Sequence, residues 1–357
     1  MIIMGFVLLP NAQKVNCCAR ASCLATFHII LTFLFPIISV LLQLFIFLIW
    51  LCLVCCILSR NENEYRFISF EDNNIKIGEI CSLKNLTEPS KKCIFAGSYT
   101  TYLSTIFIGV FSFISLWLHY LVQSLIVYII AFLHTEYYHS DNLNFLTCFF
   151  FVFKGFYAII LNFGTLVLAS LLTTLMAVVL IFFEILLTLL GILASNENIT
   201  KITSFFTTVL KFLRKFVSFF SLRACIMCVI AKKNFIISVR KAANITTQYS
   251  FETFIIVVYN KIIPLFVCPV ISVSVGVAAY YHFSTILSNP DSTLFYSICV
   301  GFFGFVISRS LVDIYITGII TVHLLACYFS KKSGLPAPKR MPKDIKRAYN
   351  IEQREVS

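Results

Sequence analysis

One stretch of sequence decides the fold: it runs from Ser104 to Leu133 and reads STIFIGVFSFISLWLHYLVQSLIVYIIAFL. It contains no proline and one side chain able to carry charge, His119. About 20 apolar residues cross the hydrocarbon core of a bilayer, and backbone amides there must be satisfied within the segment. The stretch is therefore predicted to be a membrane-spanning helix with length to spare.

Composition extends this prediction to the whole chain. Of its 357 residues, 59% are hydrophobic and 12% are charged, and the mean hydropathy is +0.91. The 38 phenylalanines, with abundant Ile and Leu, suit helices that face lipid rather than barrel strands that alternate polar and apolar residues. We predict an all-α transmembrane helical bundle of about six spans with both ends in the cytoplasm.

The net charge is +12, and many of the basic residues lie just outside the apolar segments. Basic residues gather in Lys201–Lys241 and Lys331–Arg354. The positive-inside rule assigns such segments to the cytoplasm, so we expect membrane lipids as neighbours and no nucleic-acid partner.

The expected organisation has three parts. Residues 1–25 form a cytoplasmic or interfacial segment, residues 26–330 form the transmembrane domain, and residues 331–357 form a cytoplasmic basic tail. The transmembrane domain includes an extracellular loop at 59–100.

The apolar block Leu143–Leu193 is too long for a single perpendicular crossing and leaves two topologies open. In the favoured one it is a hairpin that turns near Asn162–Gly164. In the other, about Tyr157–Leu193 is one span and Phe216–Val239 is the return crossing. The second topology places two adjacent lysines near mid-membrane, which is costly.

The polar loop contains the acceptor sequence Asn85-Leu86-Thr87 between Cys81 and Cys93. Disulfides and glycans both belong to the extracellular side. We predict a Cys81–Cys93 disulfide and a glycan on Asn85, with an unmodified polar loop as the alternative.

Sequence motifs of enzymes and metal sites are absent. The chain has no GxxxxGK[ST], HExxH or GxSxG sequence, and no His/Cys cluster has metal-ligand spacing. We expect no enzyme activity, no catalytic residue, no metal and no cofactor, and any transport would be passive or driven by a gradient.

Aromatic rings and intramembrane charges remain as binding groups. Trp117, Tyr120 and Tyr128 fall on roughly one side of their helix, and aromatic faces attract quaternary ammonium groups. Glu184 and Asp313 are acids within apolar segments, which marks them as functional candidates. These five residues are the predicted substrate-binding residues.

Structural alternatives exist for each candidate. The aromatic residues could serve ordinary packing, and Glu184 could be a solvated acid near a span end. Arg309 precedes Asp313 by four residues, so the two charges could neutralise each other on one helix face.

Four segments carry a resemblance to a known family. They are the Cys-bracketed loop after a Pro-containing span, Trp117-Leu118 followed by Tyr137-Tyr138, Gly164-Thr165 with Ala169-Ser170-Leu171 and Glu184, and the block from Arg223 to Ala242, which aligns at Ala224, Ile226, Ile230, Asn234, Phe235, Ser238 and Ala242. In these segments the chain resembles the C-terminal portion of the choline transporter-like family, solute carrier family 44.

The chain departs from the family pattern at three points. The family's glycine-glutamine pair is Ile126-Val127 here, its glycine in the fourth segment is Lys232, and the aspartate of its last span is Ile320. Asp313 lies two turns earlier on the same face, so the acid could be relocated.

The resemblance implies facilitated transport of choline or a related amine, a small organic cation, at the plasma membrane. The family has further segments before the point that matches Met1. The alternative is therefore a non-transporting membrane subunit or scaffold, with a homo-oligomer or a complementary membrane subunit as partner.

The loop prediction can be tested by enzymatic deglycosylation. Peptide glycosidase should lower the mass of the wild-type protein and leave Asn85→Gln unchanged. Free thiols at Cys81 and Cys93, labelled from the cytosolic side, would overturn the predicted orientation.

Overall fold

The computed structural model describes residues 2–59, 62–69, 92–99, 102–141, 144–193, 206, 208–209, 221–286, 289–331 and 338–351. Its elements are α1 (Ile2–His28), a 3-10 turn (Ile30–Phe33), α2 (Leu34–Leu58), β1 (Glu62–Ser69), β2 (Lys92–Tyr99), α3 (Tyr102–His139), α4 (Phe145–Leu193), α5 (Ser221–Ala231), α6 (Phe235–Gln248), α7 (Ser250–Ser284), α8 (Pro290–Lys331) and α9 (Lys343–Ala348).

Within these ranges, five helices are long and apolar enough to cross a membrane. They are Ile30–Leu58, Tyr102–His139, Leu146–Leu189, Ser250–Ser284 and Pro290–Ser330. The helical, polytopic fold class is thereby confirmed.

The polar loop contains a pair of strands that the sequence analysis did not predict. β1 and β2 are antiparallel, with Glu62 opposite Tyr99, and irregularities in pairing interrupt the register twice. Cys81, Asn85 and the side chain of Cys93 lie outside the described residues. The disulfide and the glycan therefore stay predictions.

The favoured hairpin in the long apolar block is wrong. Helix α4 runs without a break for 49 residues, a length of about 74 Å at 1.5 Å per residue. No proline interrupts it, and Asn162 remains helical, with its Nδ2 donating to the carbonyl of Ala158 at 2.9 Å. The side chain of Asn162, at the predicted turn, therefore has its hydrogen bond within the helix, and the helix continues through this position.

The two lysines that counted against the other topology lie in a turn between α5 and α6. Both side chains are exposed, and Lys232 has φ 49°, in the left-handed region that glycine adopts most readily. This is the position where the resemblance implies a glycine. The turn ends α5, so the lysines do not interrupt an apolar helix.

The chain divides into two compact units. The first comprises Met1–Gln43 and His119–Ser357, and the second comprises Leu44–Leu118. Within the second unit, the indole Nε1 of Trp50 donates to the hydroxyl of Ser112 at 3.0 Å and links α2 to α3.

Small residues bring α7 and α8 close together in the first unit. A Cβ at Gly276 would lie 3.5 Å from the Cα of Gly301, and Ser272 Oγ donates to the carbonyl of Gly301 at 2.7 Å. Membrane helices often associate through close backbone contact at small residues, because the hydrophobic effect does not drive helix association within lipid.

The centre of the first unit is the point where α8 meets α1 and α3. A Cβ on Gly318 would overlap the hydroxyl of Ser22 and lie 2.7 Å from Nε2 of His134. Both of those side chains are fully buried. Gly318 is therefore required by space rather than by backbone conformation.

Gly318→Ala should destabilise the folded protein by about 1–3 kcal/mol, as overpacking of a tight contact does. Gly164→Ala is the matched control, because a Cβ there meets nothing within 4 Å and alanine favours helix. Thermal unfolding of the purified proteins should show a lower midpoint for Gly318→Ala alone. Equal midpoints would contradict the close approach.

Candidate functional site

A cavity of about 580 Å³ lies inside the first unit. This volume falls in the range of small-molecule sites, roughly 300–1,000 Å³. Its walls come from α2, α3, α4, α5, α7 and α8. The polar residues that line it are Ser39, Gln43, Gln123, Ser124, Thr173, Ser221, Asn260, Arg309, Ser310, Asp313 and Thr317.

An ion pair forms one wall of the cavity. Arg309 Nη2 lies 3.0 Å from Asp313 Oδ1, one turn apart on α8. Both residues line the cavity, and their side chains are 44% and 52% exposed, so packing does not enclose the pair. The carboxylate therefore neutralises Arg309 and stays within reach of a second cation.

The residues of the lining include Asn260, whose side-chain carbonyl oxygen has no hydrogen bond within the described residues. Asn260 Oδ1, on α7, is buried and accepts no hydrogen bond from the part of the chain that the structure describes. An unmade hydrogen bond at a buried acceptor costs about 1–3 kcal/mol.

Side-chain amides and hydroxyls complete the lining. Gln43 Nε2 donates to Ser39 Oγ at 3.3 Å, and the hydroxyls of Thr173 and Ser221 share a hydrogen bond of 2.8 Å between α4 and α5. Polar groups inside hydrocarbon are tolerated where they pair or line a cavity. The lining can therefore offer both donors and acceptors to a bound solute.

The structure brings two of the five predicted substrate-binding residues together. Tyr120 and Asp313 both line the cavity. Tyr128 is only 3% exposed, and its hydroxyl accepts a hydrogen bond of 3.0 Å from Asn162 Nδ2, so it joins α3 to α4 beside the lining. Glu184 is half-buried on α4 and does not line the cavity.

Trp117 belongs to the second unit, where its side chain is half-buried. Its predicted role in the solute path therefore stays a prediction.

Three amide side chains of the cavity were not predicted from the sequence: Gln43, Gln123 and Asn260. They carry no charge, so a search for intramembrane ionisable residues passes over them. Each is nevertheless an amide within an apolar span, which was the available signal.

The C-terminal segment 338–351 packs against one end of the first unit, here called the tail end. Ile345, Tyr349 and Ile351 are buried there. The hydroxyl of Tyr349 lies 2.8 Å from His323 Nδ1 on α8 and 3.6 Å from Cys18 Sγ on α1.

The tail end also holds an ion pair between α1 and α7. Lys14 Nζ lies 2.9 Å from Glu252 Oε1 and 5.9 Å from the centre of the Tyr349 ring. His323 follows Asp313 by about 15 Å along α8 at 1.5 Å per residue, so the cavity and the tail end lie at different levels of the same helix.

A polar cavity between membrane-spanning helices, with an ion pair facing its interior, is the arrangement of a membrane protein that handles a small solute. Residues 1–331 match the family described as plasma-membrane choline transporter. The chain belongs to this family, and together with its apolar helices the match identifies it as a multi-pass protein of the plasma membrane. No individual curated protein matches the chain.

The buried contacts of the tail end predict a thiol of low reactivity. Burial raises the pKa of Cys18 from 9.0 to about 12. Only about one molecule in ten thousand then carries the Cys18 thiolate at pH 8, because reactivity follows the thiolate fraction. N-ethylmaleimide at pH 8 should modify the half-buried Cys17 and spare Cys18, as read by peptide mass spectrometry.

Unfolding in detergent should remove this difference, which controls for the intrinsic reactivity of the two thiols. Equal labelling of Cys17 and Cys18 in the folded protein would contradict the docked position of Tyr349.

Proposed function

We propose that this protein carries out facilitated transport of choline or a related amine, and that the 580 Å³ cavity binds the solute. The observation that supports it best is the Asp313 carboxylate, which faces a cavity of suitable size in a member of a choline transporter family. Tyr120 adds an aromatic ring to the same lining.

The chemistry of choline suits this mixture of groups. A trimethylammonium group has no hydrogen-bond donor, so it is recognised by negative charge and by aromatic faces. The hydroxyl at the other end of choline needs polar partners, which Gln43 and Gln123 can provide. Asp313 is assigned to the cationic end and the two glutamines to the hydroxyl end.

Arg309 gives the site a mechanism for moderate affinity. In the absence of solute it holds the Asp313 carboxylate at 3.0 Å, which limits the cost of a charge within a membrane span. An arriving cation must share the carboxylate with the guanidinium. This competition keeps binding weak enough for release on the other side of the membrane.

The sequence supports a passive or exchange mechanism over an ATP-driven one. It contains no phosphate-cradling GxxxxGK[ST] segment. The driving force is thus assigned to the gradient of the solute or of a second solute that it exchanges with.

The remaining predicted residues keep supporting roles in this proposal. The Tyr128–Asn162 hydrogen bond holds α3 and α4 in register beside Tyr120. Trp117 and Glu184 do not line the cavity, and their roles in substrate binding stay predictions.

The proposed activity is tested by uptake of labelled choline into vesicles that contain the purified full chain. Uptake should saturate with choline concentration and be inhibited by unlabelled choline. Folded protein that gives only unsaturable leakage would reject the transport proposal and favour a non-transporting subunit or scaffold.

Two substitutions in the ion pair should act in opposite directions. Asp313→Asn should weaken choline binding about tenfold, the equivalent of roughly 1.4 kcal/mol, because it removes the attracting charge. Arg309→Gln should strengthen binding about fivefold, since it removes the competing cation. Equilibrium binding of labelled choline to the solubilised variants measures both effects.

The uncharged isostere 3,3-dimethylbutanol is the control ligand. Its binding should change less than twofold in either variant, because it has the shape of choline and no charge. Equal effects on both ligands would show that the pair shapes the cavity and does not recognise the cation. Thermal unfolding of each variant checks that it is folded.

A further inference from the structure

A second cavity of about 900 Å³ lies at the tail end of the first unit. Its walls come from three segments that are far apart in sequence: residues 13–24 of α1, the last turn of α3, and the tail residues 340–348. The two cavities share no lining residue: this one is distinct from the cavity assigned to choline.

The second cavity is strongly basic. Its lining contains four cationic side chains and one acidic one, and these are Lys14, Arg20, Arg340, Arg347 and Asp344. Like charges that converge from separate segments repel one another, so this arrangement does not stabilise the fold by itself. An anion in the cavity would relieve the repulsion.

Two of the four cations are already engaged by the protein. Lys14 pairs with Glu252 at 2.9 Å, and Arg340 donates to the carbonyl of Asp141 at 2.7 Å. The side chains of Arg20 and Arg347 are exposed, and within the described residues neither guanidinium group makes a hydrogen bond or an ion pair. These two guanidinium groups, one from α1 and one from the tail, are available to a ligand.

The position of the cavity fits a site at the membrane surface. Leu24 lines it and is 52% exposed, and it precedes the first candidate span, Ile30–Leu58, by six residues. Tyr137 also lines it, and tyrosine is enriched at the level of lipid headgroups. The lining therefore offers apolar contact next to cationic groups.

We propose that this cavity binds a phosphate-bearing ligand, either the headgroup of a phosphorylated anionic lipid or a soluble phosphomonoester. Guanidinium groups present paired donors that match phosphate oxygens, which makes Arg20 and Arg347 the principal ligand contacts. Basic pockets beside membrane helices are suited to polyanionic headgroups. The ligand bridges α1 to the tail.

Binding to the full-length chain in detergent tests the proposal with two probes. One is dioctanoyl phosphatidylinositol bisphosphate, which carries headgroup and acyl chains, and the other is inositol trisphosphate, the corresponding headgroup without acyl chains. Thermophoresis measures each affinity, and thermal unfolding checks that every variant is folded.

The double variant Arg20→Gln, Arg347→Gln should lose about thirtyfold in affinity, from about 1 kcal/mol for each basic residue. The double variant Arg240→Gln, Lys343→Gln is the matched control, since it removes two exposed charges that do not line the cavity. Its affinity should change less than twofold.

Asp344→Asn should increase affinity about fivefold, because it removes the one acid of the lining. A folding defect cannot produce this gain. Binding of both probes with these changes supports a phosphate site, and tighter binding of the lipid probe than of inositol trisphosphate identifies the membrane as the ligand source. Absence of binding by the wild-type chain, or equal losses in both double variants, would overturn the proposal.

Discussion

The close approach of α8 to α1 and α3 at Gly318 is the contact on which the first unit depends. Only a residue without a side chain admits Ser22 and His134 at this point, and from Ile314 to Cys327 most of α8 is buried. On one side of the contact, α8 presents Asp313 to the cavity, and on the other it presents His323 to Tyr349. One central helix thus positions both the candidate solute site and the docked tail.

The fold class followed from apolar run length, because hydrocarbon leaves a backbone few alternatives to helix. Run length could not decide whether the block Leu143–Leu193 is one helix or two. The deciding contacts are two hydrogen bonds of Asn162, one to Tyr128 on another helix and one to Ala158 on its own helix. The alternative return crossing Phe216–Val239 is not one continuous helix in the described residues, since the left-handed conformation of Lys232 ends α5 at Ala231.

The candidate site was predictable in part. Asp313 could be predicted because a charged residue within an apolar span is rare, and Tyr120 because an aromatic face attracts a quaternary ammonium group. The amide of Asn260 meets neither criterion. Helical spacing predicted that Tyr128 and Tyr120 share one face of α3. Tyr120 lines the cavity, but Tyr128, eight residues later, is hydrogen-bonded to Asn162 of α4 instead. The basic cavity was not predictable, because α1 and the tail are about 300 residues apart and no sequence pattern links them.

The burial of Tyr349 also bears on how the protein is made. A ribosome releases the chain from its N-terminus onward, and domains close when their last core residue is available. Lys14 and Cys18 lie on α1, and the aromatic ring of Tyr349 that contacts them is more than 300 positions later in the sequence. Helix α1 must therefore remain with these two side chains uncovered until Tyr349, more than 300 residues later, has been synthesised.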